Sequence, residues 1–275
     1  MDHFTYYYSD GILRRAPVAD GTKFDGHLFS SHNIVVERII DQLPDMREEL
    51  AENNGRHGSS VRSLHMGPRS ISLECRLFAG MTNVYDGHGD LGDWYDYDAT
   101  LQTIARFLYT PDERKLVLRN HPGQYYMAHF TSMDEGDRDN KSAGVTLNFT
   151  ASDPLRYEEA ERVLVAQGGT TRTFDVGGTD EAKLRVEVSG VNDSNAPVEF
   201  RNLDTNTTYL LVLYESTSVN MVTYDCVNHI AILNYSEPQR TGLSMNGRWP
   251  ILTPGRWSVK PYWGTATLTW RQAWR

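Results

Sequence analysis

The sequence predicts a mainly β chain (α+β) with one helix, arranged as two domains, 1–157 and 158–275. Three observations predict it. Ile71, Leu73, Cys75 and Leu77 alternate with Ser72, Glu74 and Arg76, the period of a strand with one buried face. Helical spacing is confined to Asp98–Leu108, where Leu101, Ile104, Ala105 and Leu108 share a face behind Asp98 as N-cap. From Gly168 onward, short β-like runs are separated by Gly, Asn and Thr at sandwich spacing.

The domain boundary falls at Asn148–Tyr157. An alternation through Val145, Leu147 and Phe149 stops at Asp153-Pro154. Proline lacks an N–H and drives its neighbour to extended geometry, so Pro154 cannot lie centrally in a sheet. An ordinary turn inside one fold is the alternative reading.

With 275 residues, each half can hold its own core. Composition is that of a soluble globular chain, 39% hydrophobic. No apolar run approaches the roughly 20 residues that span a bilayer, and the N-terminus lacks the features of a signal peptide. The two cysteines, Cys75 and Cys226, fall one in each domain, so buried thiols are expected rather than a disulfide framework. The formal net charge is −9, and through Tyr157 there are 16 basic against 23 acidic residues, with 11 against 13 in the remainder. Such a balance disfavours tight nucleic-acid binding, which needs Lys and Arg to displace counterions.

In chain order, Phe4–Tyr8 starts a strand and Ser9-Asp10-Gly11 turns it. Residues 12–32 have weak periodicity and are expected as an irregular or extended arm. Asn33–Asp41 is rich in β-branched residues and favours a strand. Leu43–Ser63 is polar and uneven, which predicts a long exposed loop, of a kind that either acts at an interface or is disordered. The Asp86, His88, Asp90, Asp93, Asp96 and Asp98 cluster could be drafted as metal ligands. Its spacing does not reproduce an EF-hand, and a solvated loop accounts for it. Two strand-like runs, Arg114–Arg119 and Gln124–Phe130, flank a hairpin-type connection at Asn120–Gly123, and Val145–Phe149 closes the domain.

In the second domain the predicted strands are Thr170–Val176, Leu184–Ser189, Val198–Asn202, Tyr209–Tyr214, Met221–Asp225, Ile230–Leu233, Ser258–Tyr262 and Ala266–Arg271. Tryptophans crowd the end of the chain. Trp249, Trp257 and Trp263 could form a platform that stacks sugar rings or partner side chains, or they could pack the core and its edges.

The order of these signals resembles the distal tail proteins of siphophages, which infect mostly Gram-positive hosts. The resemblance rests on Gly67-Pro68-Arg69-Ser70-Ile71 opening a strand, the Leu101–Leu108 helix, Ala151-Ser152-Asp153-Pro154 as the exit, Asp225-Cys226, and Trp249-Pro250-Ile251-Leu252-Thr253-Pro254-Gly255. It implies an N-terminal β-sandwich tail domain and a C-terminal galectin-like sandwich. It also implies a homohexameric ring, possible stacking of rings, and a place at the virion tail tip between the tail tube protein and a tail-associated hub or receptor-binding protein. The protein would be made in the host cytoplasm, bind no membrane, and let DNA pass without holding it. The 43–63 segment would be the arm reaching a neighbouring subunit, with Pro44, Arg47, Arg56, His57, Pro68 and Arg69 as candidate ring-interface residues. The acidic surplus of the first domain would line the channel, or would sit outside for solubility.

A catalytic reading finds no support. Asp134/Glu135 and Glu158/Glu159 are adjacent acids of the kind any acidic chain offers, whereas glycosidases need two carboxyls set across a bond. No nucleophile elbow, His-Glu-x-x-His or P-loop is present, and Gly55-Arg56-His57-Gly58 is at most a phosphate nest. No enzyme activity, cofactor or metal is expected. The competing reading is a carbohydrate-binding adhesin module that recognises host cell-wall saccharide.

Overall fold

A computed structural model describes residues 4–9, 12–17, 21–32, 34–52, 59–78, 93–138, 142–190, 197–212, 221–234, 238–241 and 249–275. The chain divides into two compact units, Met1–Arg156 and Tyr157–Arg275.

The first unit opens with a hairpin, β1 (Phe4–Ser9) against β2 (Ile12–Pro17). Over residues 12–32, expected as an irregular or extended arm, β2 is followed by the short pair β3 (Lys23–Phe24) and β4 (His27–Leu28) and by one turn of 3-10 helix at Phe29–His32. Turn chemistry builds this stretch: Asp25 and Gly26 both adopt positive φ between the two strands. Such a tight turn leaves no hydrophobic period to read.

β5 (Ile34–Asp41) leads to β6 (Met46–Glu52) and β7 (Ser59–Met66), then to β8 (Arg69–Phe78). The described parts of the 43–63 segment are therefore mostly paired strands and not a loop. The next described element is the helix α1 (Asp93–Leu108). It starts more than a turn before the Asp98 expected as its cap. Acidic residues suit the whole first turn of a helix, so Asp93, Asp96 and Asp98 could not be ranked by capping chemistry. Asp86, His88 and Asp90 lie outside the described residues.

β9 (Arg114–Val117), β10 (Gln124–Arg138) and β11 (Ser142–Ala151) complete the unit. Along β10, Tyr126–Ala128 pair with β9 and His129–Arg138 with β11, the latter ladder carrying register shifts between Phe130 and Ser132 and between Glu135 and Arg138. β11 pairs in turn with β8, from Ser142↔Phe78 to Ala151↔Arg69, and β8 pairs with β5.

The predicted alternation on β8 is borne out in three dimensions. Ile71, Leu73, Cys75 and Leu77 are buried beside Val145, Leu147 and Phe149 of β11. Ile104, Phe107 and Leu108 join α1 to this core. Phe107 also carries two imidazoles, with His32 at 4.7 Å and His27 at 5.3 Å between ring centroids.

The short strand β12 (Arg156–Glu158) contains the boundary. In the second unit follow β13 (Arg162–Gln167), β14 (Arg172–Val176), β15 (Asp180–Ser189), β16 (Val198–Asn202), β17 (Thr208–Leu211), β18 (Met221–Asp225), β19 (Ile230–Asn234), β20 (Pro238–Thr241), β21 (Gly255–Pro261) and β22 (Thr265–Trp274). One sheet runs β14-β21-β16-β17. The other runs β20-β19-β18-β15-β22, with β13 also on β22. Phe174, Phe200, Trp257 and Val259 of the first sheet and Leu184, Val186, Tyr224 and Leu268 of the second share one core. Two sheets around one core, with one helix in the whole described chain, bear out the mainly β class. β13 and β20 went unpredicted.

Candidate functional site

The element that stands out from the first unit is the ribbon of β6 and β7. It pairs with itself from Met46↔Met66 to Glu52↔Ser59 and with no other described strand. Arg47, Glu48, Glu49 and His65 are exposed on it, and Ser63 Oγ donates to Glu49 Oε2 at 2.9 Å. A two-stranded ribbon is marginal by itself in water, so its root must hold it.

Three contacts close that root. Gly67 N–H donates to the Asp45 carbonyl at 2.7 Å, and Gln42 N–H donates to the Ser70 carbonyl at 3.3 Å. A Cβ at Gly67 would lie 3.1 Å from Arg47 Nε and 3.3 Å from the Asp45 carbonyl oxygen, so a residue without a side chain permits this close return. The third contact is an ion pair. Arg69 Nε donates to Asp41 Oδ1 at 2.6 Å, and the two side chains are 4% and 11% exposed.

This pair is built into a larger polar group. Tyr126 Oη donates to Asp41 Oδ2 at 2.8 Å, and the Arg69 guanidinium carbon sits 5.1 Å from the centre of the Tyr126 ring. Arg69 Nη1 donates to the Pro154 carbonyl at 3.3 Å. His121 Nε2 is 4.0 Å from Asp41 Oδ2. Burial, with the Asp41 charge and hydrogen bond second, pushes the Tyr126 hydroxyl far above its ordinary pKa. Burial and then the Arg156 charge hold the His121 imidazole below its ordinary value. At neutral pH the group therefore places neutral Tyr126 and His121 beside the Arg69–Asp41 ion pair.

Among the candidate interface residues, Arg47 and Pro68 are exposed, Pro44 is half-buried, and Arg69 is buried in its own unit. Within its own unit Arg69 supports this surface from beneath. Arg56 and His57 lie outside the described residues. Sequence reasoning passed over Asp41, His121 and Tyr126. A signal was there: Ile39-Ile40-Asp41 ends one apolar run and Arg69-Ser70-Ile71 begins another, with opposite charges at the two ends of a polar excursion.

The three tryptophans proposed as a platform have different surroundings. Trp257 is buried, donates through Nε1 to the Thr253 carbonyl at 2.8 Å and stacks on Tyr209. Trp249 is half-buried against Tyr224 and His229. Trp263 is 61% exposed, next to Tyr262 at 41%. Gly264 behind them has φ +65 and would place a Cβ 2.2 Å from the Ser189 carbonyl, which fixes the turn carrying both rings.

One acid of each adjacent pair is engaged in a structural contact. Asp134 accepts from Asn148 Nδ2 at 2.7 Å, and Glu158 accepts both Arg162 Nε and Nη2. Burial pushes the Cys226 thiol up to about 12, so it stays protonated and unreactive at neutral pH. Among the described residues there is no group of three or more His, Cys, Asp or Glu that could hold a metal ion. Among them, too, no helix is long and apolar enough to cross a membrane.

Residues 26–151 match the family model described as the phage tail protein RIFT-related domain. Among solved structures, the chain is similar to the SPP1 Dit protein, described as a paradigm of the hub adsorption apparatus in phages infecting Gram-positive hosts. The TM-score is 0.69 at 16% identity, over 92% of this chain and 98% of that one. A chain of the phage p2 baseplate in its activated conformation with strontium matches at 10% identity and TM-score 0.47, over 98% of this chain and 97% of that one. The p2 baseplate activated with calcium gives 12% and 0.43, over 97% and 96%. No curated protein matches the sequence. The family model and the shared Dit fold bear out the resemblance to siphophage distal tail proteins.

Proposed function

We propose, on the premise that residues 26–151 belong to the phage tail protein RIFT-related domain family, that this is a structural protein of a siphophage tail tip and not a catalyst. In this reading six copies form a ring that joins the tail tube protein to a tail-associated hub or receptor-binding protein, and DNA passes through without being held. The chain is made in the host cytoplasm and resides in the virion, and its second unit is a galectin-like sandwich facing other tail proteins. The observation that carries the reading is the β6–β7 ribbon. Its described side chains are mostly polar and it pairs with no other described strand, yet a nearly buried ion pair roots it in the unit matched by the tail family. A second copy of the chain is the natural occupant for such an arm. Leu43 and Met46, 77% and 54% exposed at its base, supply apolar area for the contact.

Light scattering on the intact protein tests this. A particle of six 31.3 kDa chains, formed by the chain alone or on adding tail-tube or hub partners, is the expected result. A monomer at every concentration and with every partner would refute it. Duplex DNA should bind the ring weakly even at roughly 50 mM salt, where phosphate contacts are least screened. Submicromolar binding that falls steeply with salt would mean a basic lining.

The carbohydrate-binding reading keeps one observation in its favour, the exposed Tyr262 and Trp263 on their fixed turn. A glycan array or cell-wall pull-down with fragment 158–275 decides it.

A further inference from the structure

Asp41 ends β5 and Arg69 begins β8, so all of 42–68, the arm included, leaves and re-enters the first unit between these two residues. The Gly67–Asp45 and Gln42–Ser70 backbone bonds join only the two sides of this neck. Arg69 does more. Its Nε holds Asp41, while its Nη1 holds the carbonyl of Pro154, in the segment by which the chain leaves the unit after β11. That exit has further bonds: Ser152 N–H donates to Glu113 Oε1 at 2.8 Å, and Leu155 N–H donates to Asp153 Oδ1 at 3.2 Å. On the other side of the ion pair, Tyr126 Oη fixes Asp41 from β10.

A guanidinium that is 4% exposed cannot abandon its carboxylate without leaving a buried charge unpaired. Its donors form one planar, rigid fork, so they cannot be re-aimed one at a time. We infer that Arg69 is a positioning residue which makes order in the arm's neck and order in the exit segment 152–156 a single equilibrium. A second copy of this chain seated on the arm then stiffens the exit, and a displacement of the exit loosens the arm. Linkage makes the effect reciprocal. This rests on the arm being the subunit contact proposed above.

Hydrogen exchange on the intact chain tests the coupling, read at the neck amide of Gly67 and the exit amides of Ser152 and Leu155. The variants are Arg69→Lys, which keeps the charge but loses the fork, and Tyr126→Phe, which removes only the hydroxyl that steadies Asp41. Arg69→Lys should speed exchange at neck and exit together, by about tenfold, the scale on which local opening responds to one lost charged bond. The β8 and β11 ladder amides should keep their wild-type rates. Tyr126→Phe should speed both sites by a smaller common factor. In the wild type, assembly should slow exchange at the exit as well as the neck; in Arg69→Lys it should slow the neck alone.

Exchange that changes at one site only, or at neither, overturns the inference. Should Arg69→Lys open the whole unit, the Tyr126→Phe rates decide. Light scattering on the same samples separates the two proposals. A wild type that never assembles refutes the ring while the neck–exit rates still judge the coupling. A ring whose neck and exit exchange independently refutes the coupling alone.

Discussion

Arg69 and Asp41 meet at 2.6 Å across the root of an arm that separates them in sequence, and both side chains are almost wholly withdrawn from water. Pairs of this kind add little net stability over an apolar replacement, but removing one partner strands the other. Arg69→Met should therefore destabilise the first unit by about 3–5 kcal/mol, with Asp41→Asn somewhat less. Because the two share one interaction, the double variant should fall short of the sum by about 0.5–3 kcal/mol. Urea midpoints read the cycle. Additive losses would show that the pair is not coupled in solution.

The tryptophans should separate cleanly. Trp257→Ala empties a core site and should lower stability by about 3–5 kcal/mol. Trp263→Ala, at a site 61% exposed, should change stability by no more than about 0.5 kcal/mol. If Trp263 contacts a sugar or a tail partner, its loss should appear in binding alone. Equal destabilisation by the two variants would contradict the placement of these rings.

Acid should weaken the first unit before its carboxylates titrate. Burial, and secondly the neighbouring His27, lower the His32 pKa below 6.5. His121 moves the same way, through burial and then Arg156. As pH falls through 6.5 the unfolded chain takes up these protons while the folded chain does not, so stability drops until the folded pKa is passed. The melting temperature should decline between about pH 7.5 and 5.5, and His32→Gln should flatten part of that decline. A wild type that melts higher on acidification would contradict the assignment.

Each unit has a core drawn only from its own residues. Fragment 158–275 should accordingly give a cooperative thermal transition by circular dichroism. A fragment unfolded under conditions where the intact chain is folded would place the boundary elsewhere.

Strand identity was legible wherever one face is buried. The alternation of Ile71, Leu73, Cys75 and Leu77 marks β8, and β16 and β18 run Val198–Asn202 and Met221–Asp225 as the turn residues around them predict. The arm was not legible as a hairpin. Met46–Glu52 and Ser59–Met66 carry polar residues on both faces, and a ribbon held by its backbone ladder imposes no hydrophobic period.

By itself, then, the sequence determined the class of fold, the α-helix of the first unit, the change of character after Pro154 and the acidity of the first half. These depend on local period, turn chemistry and composition, which neighbouring residues carry together. Only the tertiary structure decided that Arg69 lies beneath the surface and not on it, and that Trp257 is core while Trp263 is not. Those outcomes depend on pairings between distant segments, Ala151 opposite Arg69, Tyr126 against Asp41 and Asn202 opposite Trp257. No local pattern encodes which two strands will meet, and burial is a property of the meeting.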